Sequence, residues 1–397
     1  MPELYGKAAD RAALGQRAGN LAQFGGVRLV TAADGVERGL RMLEFRTGSG
    51  LCFSIIVDRA MDIADLSHAG RSVGWHSPTG FRYPGLHEPD GEDGLGWIRS
   101  FSGFLVTGGL DHVLGPETVD AAEYGYPRRA TVRHGLHGRI STIPARLTGY
   151  GERWEGARCI LWAEGVVTQA AVFGEALELR RRIEADLGGN EIRLTDTVVN
   201  TGFSRTPHMM LYHINIGYPV LDEGARYLAP IRQVAWASHA ANLDLQGAGY
   251  RTCPAPAPGF QEQVWEYAMA ADEGGLVPVA LVNDRIGLGV LVETRQDQLP
   301  CALQWQNFRS GNYVMGIEPV THHAPGNRFA RDRDEMIWLN HGNERRYDCR
   351  FTVLDGAAAI AATATRIAAI ARQPDTDFPQ PTGYFAPLYQ ADRKATA

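Results

Sequence analysis

The chain lacks the features that mark several large protein classes. Its five cysteines, Cys52, Cys159, Cys253, Cys301 and Cys349, are odd in number and form no CxxC pair. That argues against a disulfide framework and against a thiolate zinc site. No run of about 18 apolar residues occurs, so no membrane-spanning helix is expected. Basic residues number 39 and acidic ones 45, for a net charge of -6. A general nucleic-acid binder ordinarily has the opposite balance. The start, Met1 to Lys7, has no basic stretch followed by an apolar one and does not read as a secretory signal. Cytoplasm is the default expectation. No repeat of fixed period and no strand–helix alternation is found, which excludes a doubly wound α/β fold. Thr107-Gly108-Gly109 is too short for a phosphate-binding loop.

What is present is an ordinary globular composition: 397 residues, 44% hydrophobic and 21% charged. The 46 glycines and 21 prolines, about 17% of the chain against an average of roughly 12%, are spread throughout and predict many turns. The dominant hydrophobic period is two. Leu51, Phe53, Ile55, Val57 and Arg59 share one face of a strand, and residues 38–46 form its partner across the turn Thr47-Gly48-Ser49-Gly50. A long meander follows, with strands over 159–163, 166–172, 176–185, 191–200, 279–282, 287–294, 302–306, 313–318 and 346–353. Two helices are expected, over 10–23 and over 357–372. In the second, Ile360, Ala364, Ile367 and Ile370 share a face. Residues 77–93 read as a long loop over the sheet, and the tail with Pro374, Pro379 and Pro381 as extended chain. The expected class is all-β, with many antiparallel strands in stacked sheets; periodicity leaves sandwich, propeller and barrel open.

The twelve histidines carry the chemistry. Alternation along residues 207–219 puts His213 and Asn215 on one face of a strongly apolar strand, with Tyr212 on the other. A lone buried histidine is most often a satisfied core group; Asn215 beside it raises the case for a polar pocket. Glu318 precedes Pro319, which favours extended backbone there and suggests a strand end. Gly316, on the same face, leaves room in front of it. Arg133 to Arg139 holds His134 and His137, and His322 and His323 form a further pair. Trp305 and Asn307 share a face, and Trp305 and Trp75 offer aromatic planes for the C–H face of a sugar, although core packing is the commoner role of Trp. Arg59 stands at the end of its strand, either projecting at the mouth of the sheet or simply on the surface.

The run Gly316-Ile317-Glu318 followed by Pro325-Gly326-Asn327 resembles the segment around the catalytic glutamate of aldose 1-epimerases, the galactose mutarotases. Tyr212-His213-Ile214-Asn215 is similar to the segment carrying that family's acid histidine, and His137-Gly138 to its substrate-binding segment, with His134 as the other match. The resemblance spans roughly residues 25–355. It implies a large antiparallel β-sandwich over 25–356, preceded by a segment at 1–24 and followed by a helix and tail at 357–397. It further implies a small-molecule sugar substrate, acid–base catalysis without an organic cofactor or obligatory metal, Glu318 as base and His213 as acid. His137 or His134 would bind the ring-oxygen region or a hydroxyl, Arg59 would hold a hydroxyl or an anionic group, and Asp222 is the candidate acid for sugar hydroxyls. Two other readings belong to different classes. One is a metal-assisted sugar isomerase or lyase, with His134, His137, His213 and Glu318 as ligands. The other is a sugar-binding protein without catalysis.

Overall fold

Alternating apolar and polar residues build long antiparallel strands. In Ala176–Asp186, Leu177, Leu179, Arg181, Ile183 and Ala185 are buried, while the residues between them are only partly covered or exposed. The computed structural model describes residues 1–122, 130–238, 249–372, 381–383, 385 and 388. Among these, two large sheets face each other. One has eight strands in the order Arg146–Glu155, Arg158–Ala170, Ala176–Asp186, Glu191–Asn200, Glu344–Asp355, Leu288–Arg295, Leu276–Asn283 and Arg226–Leu228. The other runs Ile231–Ala237, Gln263–Met269, Cys301–Arg309, Asn312–Val320, Thr206–Ile216 and Ile337–Leu339, with Leu105–Leu110 also paired to Thr206–Ile216. A third sheet of five strands contains the expected hairpin, Arg41–Arg46 with Leu51–Ile56.

The inner faces of the two large sheets share one apolar core. Tyr212 meets Tyr347 across it at 6.4 Å between ring centroids, and Tyr227 meets Tyr267 at 6.1 Å. Leu4 and Leu14 of the N-terminal segment join the same core. The protein is therefore an all-β sandwich of large antiparallel sheets, with the C-terminal helix Ala357–Ile370 laid on one of them. Ile360 and Ile367 pack there on Ala280, Val282, Leu291 and Leu354. No helix among the described residues is long and apolar enough to cross a membrane.

Four local expectations differ from the structure. Residues 159–163 and 166–172 belong to one strand, Arg158–Ala170, because Glu164 and Gly165 keep the extended pairing to Ala176–Asp186. Of the first helix only Arg11–Gly15 and a 3₁₀ turn at Leu21–Gln23 form. The strand carrying Glu318 continues through Pro319 to Val320; the extended backbone that proline imposes on its predecessor suits a continuing strand as well as an ending one. Thr363 takes a buried place on the C-terminal helix, where Ala364 and Ile370 are half-buried. Pro374 and Pro379 lie outside the described residues.

Candidate active site

Thr206–Ile216 is buried along its whole length, so both of its faces pack against protein. It pairs with Asn312–Val320 through Leu211↔Val320 and Ile214↔Ile317, a register that sets His213 opposite Glu318. On the next strand Leu303 lies opposite Glu318 and Trp305 opposite Gly316. Alternation then gathers His213, Asn215, Gly316, Glu318 and Trp305 on the face turned away from the sandwich core. Trp75, Trp97 and Phe101, from the segment linking the five-stranded sheet to Leu105–Leu110, cover that face in a small apolar cluster with Val106 and Val314.

His213 Nε2 lies 3.1 Å from Glu318 Oε1, and both side chains are almost wholly buried. Asn215 Nδ2 donates to the carbonyls of Gly103 and His213, while Asn215 Oδ1 and His213 Nδ1 are buried without partners. A side chain at Gly316 would put its Cβ 2.9 Å from His213 Cε1 and 3.0 Å from Glu318 Oε1. The space expected in front of Glu318 is thus the space in which the pair meets. His137 sits 5.7 Å from His213 between ring centroids, and Trp97 lies 4.7 Å from His137. Phe101 and Trp305 pack on His213 at 4.7 and 5.3 Å. His137 adopts positive φ, and its Nδ1 accepts from the Leu114 N–H, which leaves Nε2 to carry the ring proton.

Burial dominates the electrostatics. It pushes the Glu318 carboxyl up to about 8, helped by the negative charge of Glu262. It pushes His213 down to about 3 against the opposing effect of Asn215. His137 is also held well below its ordinary value, first by burial and then by His213 and His112. Near neutral pH the pair therefore holds one proton and no net charge.

The other sequence-derived candidates are placed as follows. Trp305 lies in the aromatic wall and donates through Nε1 to Glu262. His134 stacks on His112 at 4.8 Å and lies 3.8 Å from Asp111, one step removed from the pair. Arg59 does not project at a sheet mouth: its strand ends at Ile56, and Arg59 is 1% exposed in the following tight turn. Asn307 is two residues further along the strand than Trp305, and its Oδ1 is occupied by the Arg309 N–H. Asp222 pairs with Arg285 and acts on Tyr313, at the opposite end of its strand from Glu318, so the fold does not bring it to the pair. His322 bonds Thr321, and His323 contacts Glu266 and lies 3.4 Å from Cys301. Those last three are the one group among the described residues with metal-ligand spacing; His134, His137, His213 and Glu318 do not converge in that way. Trp97 and Phe101 were not singled out from sequence. Their spacing of four, in a loop otherwise rich in glycine and acidic residues, is the signal that marks them.

A family described as a domain of unknown function, DUF4432, matches residues 37–353, and the chain belongs to it. No curated protein matches. Among solved structures, a candidate aldose 1-epimerase from Klebsiella pneumoniae is 26% identical, with a TM-score of 0.78 and 88% of each chain covered. A galactose mutarotase-like protein from Clostridium acetobutylicum is 12% identical, with a TM-score of 0.55 over 83% of this chain and 98% of that one. A galactose 1-epimerase from Lactobacillus acidophilus is 11% identical, with a TM-score of 0.51 over 83% and 99%. The fold is the galactose mutarotase-like sandwich.

Proposed function

We propose that this DUF4432 chain interconverts the anomers of an aldose by acid–base catalysis at His213 and Glu318. The observation that carries the reading is the buried 3.1 Å contact between the two groups beneath an aromatic wall. Anomer exchange removes the proton from the C1 hydroxyl and adds one to the ring oxygen. The C1–O5 bond breaks as the C1 carbonyl forms, the C1–C2 bond rotates, and the ring closes on the other face. The net requirement is one proton on a pair of groups, one giving while the other takes. We assign Glu318 as base and His213 as acid. Burial by itself keeps the shared proton on Glu318. The assignment therefore needs the sugar to draw that proton to His213, which a C1 hydroxyl donating to the Glu318 carboxylate favours. His137 Nε2–H would donate to the ring-oxygen region, and Trp305 would stack on the sugar's C–H face. The chemistry needs no cofactor. A cytoplasmic setting suits the five free thiols.

The test is anomer exchange followed by NMR or polarimetry over aldoses, uronates and sulfonated sugars, with the spontaneous rate in water subtracted. Catalysed exchange on one class is expected. Rates at background across the panel would remove the epimerase reading for those sugars.

A further inference from the structure

Arg59 is buried without the partners that buried cations ordinarily have. Its side chain is 1% exposed, yet Nε and Nη1 have no hydrogen-bond acceptor. The nearby carboxylate, Asp62, is already taken: Oδ1 by Thr107 Oγ1 and Arg181 Nη1, and Oδ2 by the Thr107 N–H. Asp62 attracts the Arg59 charge from a distance but leaves its donors unused. Two further groups share the condition. Arg82 Nε and both ring nitrogens of His87 are buried without partners. His87 is within electrostatic reach of both arginines: burial, then the charges of Arg82 and Arg59, hold its ring below its ordinary value. Of the acidic groups facing His87, Glu92 is held by both ends of the Arg99 fork at 2.6 and 3.0 Å, and the Glu88 carboxylate accepts from the Asp90 N–H at 3.5 Å.

The loop that carries Arg82 and His87 also carries Trp97 and Phe101, which pack on His137 and His213. Trp97 Nε1 donates to Ser141 Oγ, and the residue after Arg59, Ala60, donates its N–H to Ile143 of that same segment. One loop thus frames both the acid–base pair and the unpaired donors. We propose that Arg59, with Arg82 and His87, receives an oxyanion carried by the sugar whose anomeric carbon lies at His213 and Glu318. The substrate class is then an aldose bearing a carboxylate, sulfonate or phosphate. The inference rests on the reading of His213 and Glu318 as the reacting pair. Its physical basis is that dry, unpaired guanidinium donors are costly, and an oxyanion supplies the acceptors they lack.

The experiment is calorimetric binding of glucose, glucuronate, glucose 6-phosphate and inorganic phosphate to the full chain, with thermal melts alongside. At least one anionic sugar is expected to bind about tenfold or more tighter than glucose. That preference should collapse in Arg59→Met and survive in Glu318→Gln. The anionic sugar should raise the Tm of the wild type and not of Arg59→Met. Without ligand, Arg59→Met should melt at or above the wild-type Tm, since it removes an unpaired buried charge. Equal binding of glucose and both anionic sugars overturns the proposal, as does a preference that survives Arg59→Met. A lowered Tm in Arg59→Met that Arg59→Lys restores, with no loss of preference, would make the residue structural. Inorganic phosphate binding as tightly as the sugar phosphate, and dependent on Arg59, would reject the sugar-borne anion. Arg59-dependent binding of an anionic sugar with exchange at background keeps the subsite and rejects the epimerase. Exchange on aldoses with no preference for anions does the reverse.

Discussion

Tyr212 and His213 are adjacent in one strand and face opposite ways, and the polar groups behind them are organised on different terms. On the inner side every N–H of Arg181 is used: Nε and Nη2 bond Asp196, Nη1 bonds Asp62 and the Ala60 carbonyl, and Nη2 also bonds Thr107 Oγ1. Tyr212 closes the network by donating to Asp196 at 2.7 Å. On the outer side His213 and Glu318 have each other, while His213 Nδ1 and Asn215 Oδ1 have no partner. Both sites are fully buried. A saturated network fixes the two sheets in register, whereas an unsaturated one in the same interior keeps acceptors and donors for something that arrives. The comparison predicts that substitutions on the outer side change rate and leave stability, and that those on the inner side do the reverse.

The largest effect is expected at the outer pair. Glu318→Gln and His213→Asn each remove a proton-transfer group while keeping much of its shape. Anomer exchange should fall by about 10²–10⁴-fold with sugar binding largely retained. Melting should be unchanged, or raised in Glu318→Gln, because the amide carries no ionisable group into the interior. Full exchange activity in Glu318→Gln would reject Glu318 as the base, and a large loss of Tm would make the pair structural.

Arg181→Met is the converse. It strips the cation from two buried carboxylates, and breaking a buried ion pair from one side costs about 3–5 kcal/mol. For a chain of this length that is a fall in Tm of about 5 °C. The molecules still folded at lower temperature should exchange anomers at near the wild-type rate. A normal Tm would show that the inner network does not hold the sheets.

The pH dependence sharpens the contrast further. The pair holds one proton between about pH 3 and about 8, from the depressed His213 and the raised Glu318. Exchange should be level inside that window, fall above about 8 as the proton leaves, and fall toward 3 as a second one binds. Stability follows a separate course. The Glu318 carboxyl is raised above its ordinary value of 4.5, so its contribution is full below that value and is lost as pH rises toward 8. Melts of wild type and Glu318→Gln should therefore diverge from pH 4.5 to 8, with the variant the flatter. Parallel curves would mean that Glu318 ionises freely in the folded protein.

The inner and outer sides were not equally legible in the sequence. Period-two alternation suffices to set His213 and Asn215 on one face and Tyr212 on the other, and resemblance to the mutarotase segments selects Glu318. Their approach to 3.1 Å depends on the register of two strands about a hundred residues apart, which alternation within a strand does not specify. Arg181 is in phase with Leu177, Leu179 and Ile183, so alternation turns it inward rather than Arg180 or Arg182; what alternation does not specify is that Asp62 and Asp196 come from other strands to meet it. Arg59 read as a strand end because the apolar alternation runs on into a turn. Asp222 was drawn from family resemblance without a motif of its own, and the chain folds it onto Arg285 instead.

The smallest expected effect tests how tightly the outer pair is set. Gly316 has an ordinary backbone conformation, so Gly316→Ala brings no strain of its own, only a methyl group. That methyl would sit 2.9 Å from His213 Cε1, 3.0 Å from Glu318 Oε1 and 3.1 Å from Trp305 Cβ. The first is closer than Cβ atoms come in real proteins and the other two are tighter than ordinary contacts, so the side chains must move by a few tenths of an ångström. Overpacking of this kind costs about 1–3 kcal/mol where nothing relaxes. Trp305 Cβ is fixed by its strand, so it is the His213 ring and the Glu318 carboxyl, both far ends of their side chains, that yield, which favours the low end. Proton transfer is more sensitive, since a displacement of about 1 Å can cost 10²-fold and a smaller one proportionately less. Exchange should fall by about tenfold with little change in Tm. Gly259→Ala is the control, with open space where its methyl would stand, and should leave both untouched. A Gly316→Ala enzyme as fast as wild type would mean that the 3.1 Å contact is not the distance at which the pair works.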